Sequence, residues 1–216
     1  AVVAFFRADV AQLIMAAPGA LSGRDGEWER LGRLIIAGTI PIVIVGGLWA
    51  DVIETQLRSP VVVAVMLVVG GVGLLVAEWV GRKTRDARSL GYGEAMLIGL
   101  AQASALAPGM SRSGATLTVG LLLGLRRDTA ARFVFLMSLP AIVAAAAKEA
   151  LALSEVGTEG LPVTLMLVGL VTSAVVGYVT VKYFVRYLAG HSLAVFAYYR
   201  FALAAVTFAW LLSRAV

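Results

Sequence analysis

Long apolar runs separated by short loops dominate this sequence, and their length limits the folds that are open to it. Five of them come close to the length that spans a bilayer: Leu31–Ala50, Pro60–Ala77, Phe133–Ala147 with one further turn at each end, Leu161–Val181 and Ser192–Ser213. A helix needs roughly 20 residues to cross the hydrocarbon core. Because backbone polar groups in lipid must be satisfied within the chain, each run is predicted to be a helix. The predicted fold class is therefore all-α, a polytopic integral membrane helical bundle.

The composition also indicates that lipid is the solvent. Of the 216 residues, 60% are hydrophobic and 14% are charged, whereas a soluble domain has roughly 45–50% apolar and 25% charged residues. The absence of cysteine excludes thiol catalysis, and the single histidine, His191, excludes a histidine-rich metal site within this chain. We interpret His191 as a loop residue. The net charge of +5 does not predict a nucleic-acid partner, because the basic residues lie in short loops without interleaved aromatics.

The segment that precedes the first complete run is mixed in character. Residues 1–6 are too short to span a bilayer and lack the basic start of a signal peptide. We interpret them as the end of a membrane helix, and the chain as an N-terminally incomplete protein. Residues 8–30 contain proline and glycine and are predicted to be an interfacial segment followed by a loop. Residues 1–216 are expected to form a single transmembrane domain.

One further apolar run, Ala95–Leu125, is interrupted near its middle by a polar, glycine-containing stretch. Basic loops flank this run on both sides, and the positive-inside rule places them both in the cytoplasm. The loops 51–59 and 149–161, which carry mostly acidic residues, then lie on the opposite side. We therefore predict a re-entrant helical hairpin over residues 93–125. Irregular backbone at membrane depth is tolerated only inside protein or beside a wet cavity, so the hairpin tip is a candidate site.

The tip contains residue types that suit an anion. Pro108 is predicted to end the incoming half-helix, and the outgoing half-helix is predicted to start near Thr116, with its free N–H groups directed at the tip. Arg112 adds a fixed charge and a planar fork that matches phosphate oxygens. The predicted catalytic residues are Ser111, Arg112, Ser113 and Thr116, and the predicted substrate-binding residues at the tip are Gly109 and Gly114.

The same residues admit other interpretations. Arg112 could be a structural arginine that snorkels or pairs with a carboxylate. An arginine in the membrane costs about 2.5–3.5 kcal/mol on insertion scales, which favours a functional role. Local chemistry does not separate a phosphatase from a transporter or flippase for an anionic lipid or small anion, since both use a pre-organised anion site. A purely structural subunit leaves Arg112 unexplained.

The stretch from Ala107 to Thr116 closely resembles the PGxSRSGxT signature of the undecaprenyl-diphosphate phosphatase family, also called bacitracin-resistance proteins. Residues 94–102, 133–140 and 196–200 match their surroundings in that family as well, so the resemblance covers essentially the whole chain. It implies a bacterial inner-membrane enzyme that hydrolyses undecaprenyl diphosphate to the monophosphate. That reaction regenerates the carrier lipid for cell-wall peptidoglycan synthesis.

The resemblance carries further expectations. It implies two re-entrant hairpins in an inverted repeat, contact with membrane lipids, a requirement for Mg²⁺ or Ca²⁺, and it allows a homodimer. The family's glutamate-rich hairpin, which ends in Ser-Ser-x-Gly-His, is not found in these residues. The ligands of the divalent cation are therefore expected in a missing N-terminal segment, and no metal ligand is assigned here. The 216-residue chain alone is expected to be inactive.

Polar residues outside the tip receive separate interpretations. Arg200 lies deep in the last run and requires a partner, either an acidic residue of the missing segment or the diphosphate itself. Gln102 lies near the tip, where it either lines the substrate cavity or forms a hydrogen bond between helices. Glu78 and Glu94 lie near helix ends at the cytoplasmic face and are expected to be solvated charges. The cluster Gly70-Gly71-x-Gly73 is predicted to allow close helix packing.

Overall fold

A computed structural model describes residues 1–156 and 163–215 of the chain. Its helices are α1 (Val2–Phe5), α2 (Arg7–Leu21), α3 (Glu27–Leu48), α4 (Ala50–Gln56), α5 (Pro60–Val80), α6 (Tyr92–Ser104), α7 (Arg112–Leu122), α8 (Arg127–Val156), α9 (Val163–Leu188) and α10 (Ala194–Ala215), with a 3₁₀ turn at Ala87–Ser89. In the described part of the chain, five helices are long and apolar enough to cross a membrane, namely α3, α5, α8, α9 and α10. They coincide with the five predicted runs and confirm the all-α membrane bundle. The first two residues of the predicted run Leu161–Val181 lie outside the described residues.

Helices extend further than the sequence predicts. Most of the predicted interfacial segment and loop at 8–30 is helix α2, and the predicted loop at 51–59 contains α4. Helix α8 continues to Val156, into the predicted loop at 149–161, whose residues 157–161 are not described. The stretch from Lys148 to Val156 consists largely of Ala, Leu, Glu and Lys, which are strong helix formers. The prediction was wrong because charged residues end membrane burial but do not end a helix.

Apolar side chains cover the outer faces of the bundle. On α9, Leu165 is 70% exposed and Leu170 is 66% exposed, and no residue in the most apolar 18-residue stretch of this helix is buried. A soluble monomer rarely exposes so large a continuous apolar surface. Lipid is therefore the solvent of these faces.

Helices α3 and α6 approach each other closely enough for backbone contact. A Cβ atom added to Gly99 would lie 2.1 Å from the carbonyl oxygen of Gly38. Small residues at such crossings are the usual means of packing helices in lipid, where no hydrophobic force drives association. Next to this crossing, the buried side chains of Ile35, Ile98 and Met137 belong to the main apolar core.

Replacing Gly99 with alanine is expected to lower the free energy of unfolding by about 1–3 kcal/mol, because the added methyl group forces α3 and α6 apart. Equilibrium unfolding in mixed detergent and SDS measures this change. Gly93 is the matched control on the same helix, since a Cβ there meets no atom within 4 Å. Gly93→Ala should leave stability unchanged or raise it by up to about 1 kcal/mol through helix propensity. Equal effects of the two substitutions would contradict the close crossing.

The ends of the predicted hairpin at 93–125 meet at one end of the bundle. The backbone N–H groups of Thr84 and Arg85 both donate to the carbonyl oxygen of Gly124 at 2.9 Å, and Arg126 N–H donates to Arg85 O at 2.9 Å. The loop that precedes α6 and the loop that follows α7 are thus paired. This is the arrangement that the two basic flanks predict for a re-entrant hairpin. The inverted repeat stays a prediction.

Glu94, at the start of α6, is an ion-pair partner and a helix cap instead of a freely solvated charge. It accepts hydrogen bonds from Arg85 at 2.7 and 3.0 Å and from the Gly91 N–H at 2.9 Å. The hydrogen bond to Glu94 raises the pKa of Arg85. Arg85 Nη1 also donates to the carbonyl oxygen of Leu123 at 2.8 Å, so the pair fastens the base of the hairpin.

Glu78 contradicts the prediction of a solvated charge most clearly, since its side chain is only 5% exposed. Its carboxylate accepts from Arg127 Nε at 2.8 Å, from Arg127 Nη2 at 2.5 Å and from the Leu193 N–H at 2.8 Å. Lys83 Nζ lies 3.8 Å from the same carboxylate. The end of α5 is thereby joined to the beginning of α8 and to the residue just before α10. The prediction failed because nothing adjacent to Glu78 in sequence reveals these partners.

Candidate anion-binding site

The tip of the hairpin is a sequence of tight turns. Helix α6 ends at Ser104, earlier than the predicted end at Pro108, and the next three N–H groups bond to carbonyl oxygens three residues back. Met110 N–H donates to Ala107 O at 3.2 Å, which encloses Pro108 and Gly109 in a turn. Proline followed by a glycine with φ of +93° is the signature of a type II turn. A Cβ on Gly109 would also lie 2.4 Å from the Val63 carbonyl oxygen, so glycine is required twice over.

The outgoing helix α7 begins at Arg112, four residues before the predicted start near Thr116. Ser111 is its N-cap, and the Ser111 hydroxyl accepts a hydrogen bond from the Gly114 N–H at 3.2 Å. Within the described residues, the N–H groups of Arg112 and Ser113 make no hydrogen bond. These are the free donors that a helix N-terminus offers to an anion. The earlier start therefore brings Arg112 and Ser113 into the first turn.

Ser111 has an unusual backbone, with φ of +66° and ψ of 115°. Residues other than glycine seldom take positive φ, and such strain costs about 1–3 kcal/mol unless the surroundings enforce it. Strained residues of this kind cluster at active sites. The geometry therefore makes Ser111 a candidate functional position independently of its chemistry.

Two substitutions at Ser111 separate its hydroxyl from its backbone. Ser111→Ala removes the cap while keeping the strain, and it should lower the free energy of unfolding by about 0.5–2 kcal/mol. Ser111→Gly also removes the cap but relieves the strain, so stability should change by only a few tenths of a kcal/mol. Equilibrium unfolding in mixed detergent and SDS compares the two variants. An alanine variant as stable as the glycine variant would contradict this assignment.

Arg112 has an exposed side chain and no ion pair with any described residue. It lines a cavity of about 320 Å³ together with Ser113, Thr116 and, from α8, Ser138. The Thr116 hydroxyl donates to Arg112 O at 2.8 Å, so it lines the cavity while its proton is directed to the helix backbone. The structure thus brings Arg112, Ser113 and Thr116 together at one cavity, where the Arg112 guanidinium, the Ser113 hydroxyl and the N–H groups of the first turn are the available donors.

A second cavity of about 440 Å³ lies on the other side of the start of α7. Ser111, Ser113, Gly114 and Arg200 form its polar side. Gly109 also lines it. The other lining residues are mostly apolar and come from α5, α7, α9, α10 and the residue before α10: Leu67, Leu74, Leu117, Phe184, Leu193, Phe196 and Tyr199. Ser113 lines both cavities, so the start of α7 lies between them, and each cavity has a polar side at the tip and an apolar remainder.

Arg200 reaches the tip from α10 and is 6% exposed. Its partners are backbone oxygens: Nη2 donates to Gly109 O at 2.8 Å, to Met110 O at 2.9 Å and to Met66 O at 3.1 Å, and Nε donates to Leu67 O at 3.3 Å. No carboxylate within residues 1–156 and 163–215 pairs with it. Both predicted partners, an acidic residue of the missing segment and the diphosphate, stay predictions, while the contact of Arg200 with the tip is direct.

Gln102 and His191 lie outside the tip cavities. Gln102 is fully buried on α6, and its amide oxygen and nitrogen have no hydrogen-bond partner among the described residues. It does not line either cavity at the tip, so its assignment to substrate binding stays a prediction. His191 lies in the turn between α9 and α10, where its exposed ring stacks on Tyr187 with centroids 4.4 Å apart. That position agrees with its interpretation as a loop residue.

The donors at the tip fit an anion and do not fit a metal ion. Among the described residues, no three histidine or acidic side chains are grouped so that they could hold a metal. Arginine, hydroxyl and N–H groups, which make up the tip, carry no negative charge for a cation.

Sequence reasoning missed the partners that surround Arg200. A Cβ on Gly70 of α5 would lie 2.2 Å from Arg200 Nη2, and a Cβ on Gly71 would lie 2.6 Å from the ring of Phe201. Close packing at this glycine cluster was predicted and is confirmed. The glycine cluster was the available signal, but it did not reveal that Gly70 makes room for the buried guanidinium of Arg200.

Several known proteins are similar to this chain over most of its length. The chain is 50% identical to an undecaprenyl-diphosphatase of Rubrobacter xylanophilus, over 98% of this chain and 79% of the relative. It is 41% identical to an undecaprenyl-diphosphatase of Paenarthrobacter aurescens, over 93% of this chain and 74% of the relative. An undecaprenyl-diphosphatase of Moorella thermoacetica is 40% identical, over 98% of this chain and 79% of the relative.

The family described as bacitracin resistance protein BacA matches residues 1–206, which include both arginines of the site and the whole hairpin. The match thus covers nearly the full chain as well as the tip. The chain therefore belongs to the bacitracin resistance protein BacA family.

Proposed function

We propose that this chain is a membrane phosphatase that hydrolyses undecaprenyl diphosphate to the monophosphate and so recycles the carrier lipid of the cell wall. The observation that carries the proposal is the exposed Arg112 at the N-terminus of α7, which pairs with no described carboxylate and lies in a strained turn beside N–H groups that bond to no described residue. Such a constellation stabilises negative charge that develops on a transferred phosphoryl group. The relatives, which are undecaprenyl-diphosphatases, support this choice over the transporter or flippase.

The two cavities fit the two parts of such a lipid. The polar side of the cavity at Arg112 suits the terminal phosphoryl group, and the apolar lining of the second cavity suits the first isoprene units. Each buried CH₂ group contributes about 0.8 kcal/mol to binding, so an apolar cavity gives a long prenyl chain a large affinity. The apolar outer faces of the helices let the rest of the chain remain in the bilayer.

The reaction breaks the bond between the bridging oxygen and the terminal phosphorus. Water supplies the oxygen that replaces it, inorganic phosphate leaves, and the lipid monophosphate keeps the bridging oxygen. In the proposed mechanism, the Arg112 guanidinium and the N–H groups of Arg112 and Ser113 neutralise the equatorial phosphoryl oxygens. A serine nucleophile at position 111 or 113 is the alternative to direct attack by water, and trapping a phosphoserine would distinguish them.

Several attributes rest on the family resemblance and remain proposals. These are a bacterial inner membrane as the location, a homodimer, and a divalent cation, Mg²⁺ or Ca²⁺. The described residues offer no carboxylate at the tip, so no step proposed for this chain passes through a metal. Inactivity of the 216-residue chain by itself also stays a prediction.

The proposal is tested by incubating the full gene product, purified in detergent, with undecaprenyl diphosphate and either Mg²⁺ or Ca²⁺. One inorganic phosphate per lipid and accumulation of the monophosphate are expected. Folded protein that releases no phosphate, yet moves the intact lipid across a vesicle membrane, would overturn the phosphatase in favour of the flippase.

A further inference from the structure

The guanidinium of Arg200 is surrounded by backbone carbonyl groups. Three carbonyl oxygens, those of Gly109, Met110 and Met66, lie within 3.1 Å of Nη2. Two of them belong to the tip and one belongs to α5, so a single nitrogen joins the two elements. Leaving a charge buried costs several kcal/mol, and its hydrogen bonds must be good to offset that cost. An arginine with these contacts holds the tip loop against α5.

Gly70 makes this contact geometrically possible. Its position on α5 faces Arg200 so closely that a Cβ would lie 2.2 Å from Nη2, 2.8 Å from Cζ and 3.1 Å from the Met110 carbonyl oxygen. Any side chain at this position would therefore displace the guanidinium from the tip. A Cβ on Gly73, one turn further along the same helix, meets only Thr118, at 3.4 Å.

The two carbonyl groups held by Arg200 immediately precede the strained residue of the site. Gly109 and Met110 lead directly into Ser111, whose positive φ needs an external constraint. Turning both carbonyl groups towards Arg200 leaves the N–H groups of Arg112 and Ser113 as the polar backbone that faces the ligand. The side chain from α10 thus supplies the constraint that the local sequence cannot provide.

We propose that Arg200 is a positioning residue, which holds the tip through the carbonyl groups of Gly109 and Met110 so that Arg112 and the first turn of α7 face the phosphoryl group. Gly70 is required for this contact, because a side chain at its position would occupy the space of the guanidinium. The inference rests on the proposed phosphatase function and adds residues from two helices that lie outside the signature stretch.

The test compares Gly70→Ala with Gly73→Ala in the full gene product, with steady-state kinetics on undecaprenyl diphosphate and a thermal melt of each variant. Displacement of a site by about 1 Å can cost 10²-fold in rate, so Gly70→Ala should lower kcat by about that factor while KM changes little. Gly73→Ala should keep the wild-type kcat. Both variants should melt as folded proteins.

A double-mutant cycle makes the assignment specific. Because Gly70 and Arg200 act on the same carbonyl groups, Gly70→Ala combined with Arg200→Ala should be no slower than Arg200→Ala alone. Should Gly70→Ala fail to fold, Arg200→Lys carries the same test, since lysine keeps the charge but lacks the planar fork. It should lose at least tenfold in kcat with KM nearly unchanged.

The outcomes separate this inference from the function on which it rests. Wild-type protein without phosphate release would overturn the phosphatase itself. An active wild type whose Gly70→Ala and Gly73→Ala variants have the same kcat would overturn the role of Arg200 alone. A rise in KM at constant kcat would also overturn it, because Arg200 would then be a direct ligand of the substrate. A loss of kcat in the double mutant equal to the product of the two single-mutant losses would also overturn the role of Arg200.

Discussion

Replacing Arg112 with alanine is expected to lower kcat for phosphate release from undecaprenyl diphosphate by about 10²–10³-fold, the usual effect of removing one donor from a site that stabilises developing charge. The guanidinium stands at the first position of α7 and pairs with no described carboxylate, so its charge is available to the substrate. The melting temperature should change little, because the side chain is exposed. A phosphate-release assay with the full gene product measures the loss.

Arg126→Ala is the matched control for this experiment. Arg126 lies in the loop after α7, where its exposed side chain pairs with Asp128 at 2.7 Å, and an exposed pair contributes at most about 1 kcal/mol. Its kcat should equal that of the wild type. The kcat of Arg112→Lys should lie between those of the wild type and Arg112→Ala, since lysine keeps the charge without the bidentate geometry. An Arg112→Ala variant with wild-type kcat would remove Arg112 from the mechanism.

Replacing Glu78 with glutamine is expected to lower the free energy of unfolding by about 3–5 kcal/mol, because it leaves the partly buried Arg127 without its counter-charge. The effect is large since the carboxylate, 5% exposed, also accepts the Leu193 N–H that precedes α10. Glutamine has nearly the same shape, so the loss reports charge and hydrogen bonding instead of packing. Equilibrium unfolding in mixed detergent and SDS provides the measurement.

Asp128→Asn controls for the loss of a carboxylate as such. Asp128 is 38% exposed and pairs only with the exposed Arg126 among the described ion pairs, so its substitution should cost at most about 1 kcal/mol. Equal destabilisation by the two substitutions would show that burial of Glu78 does not matter. Near-zero loss for Glu78→Gln would mean that the cluster at the base of α5, α8 and α10 contributes no net stability.

The start of α7 illustrates how far local rules reach. Serine and threonine are favoured N-caps, and the tip contains Ser111, Ser113 and Thr116, so propensity alone permits several helix starts. The structure selects Ser111 at positive φ, an arrangement that the sequence does not favour by itself. Contacts of the preceding carbonyl groups with Arg200 impose it, and these link residues 90 and 91 positions apart.

The sequence by itself determined the membrane environment, the five helices long enough to cross it and the break that separates α6 from α7. These follow from composition, run length and flanking charge, which are local properties of the chain. Only the tertiary structure decided that Glu78 is buried against Arg127, and that Arg200 bonds to the tip from the space beside Gly70. Both contacts join residues at least 49 positions apart, and hydrophobic patterns carry no information about which distant polar groups will meet.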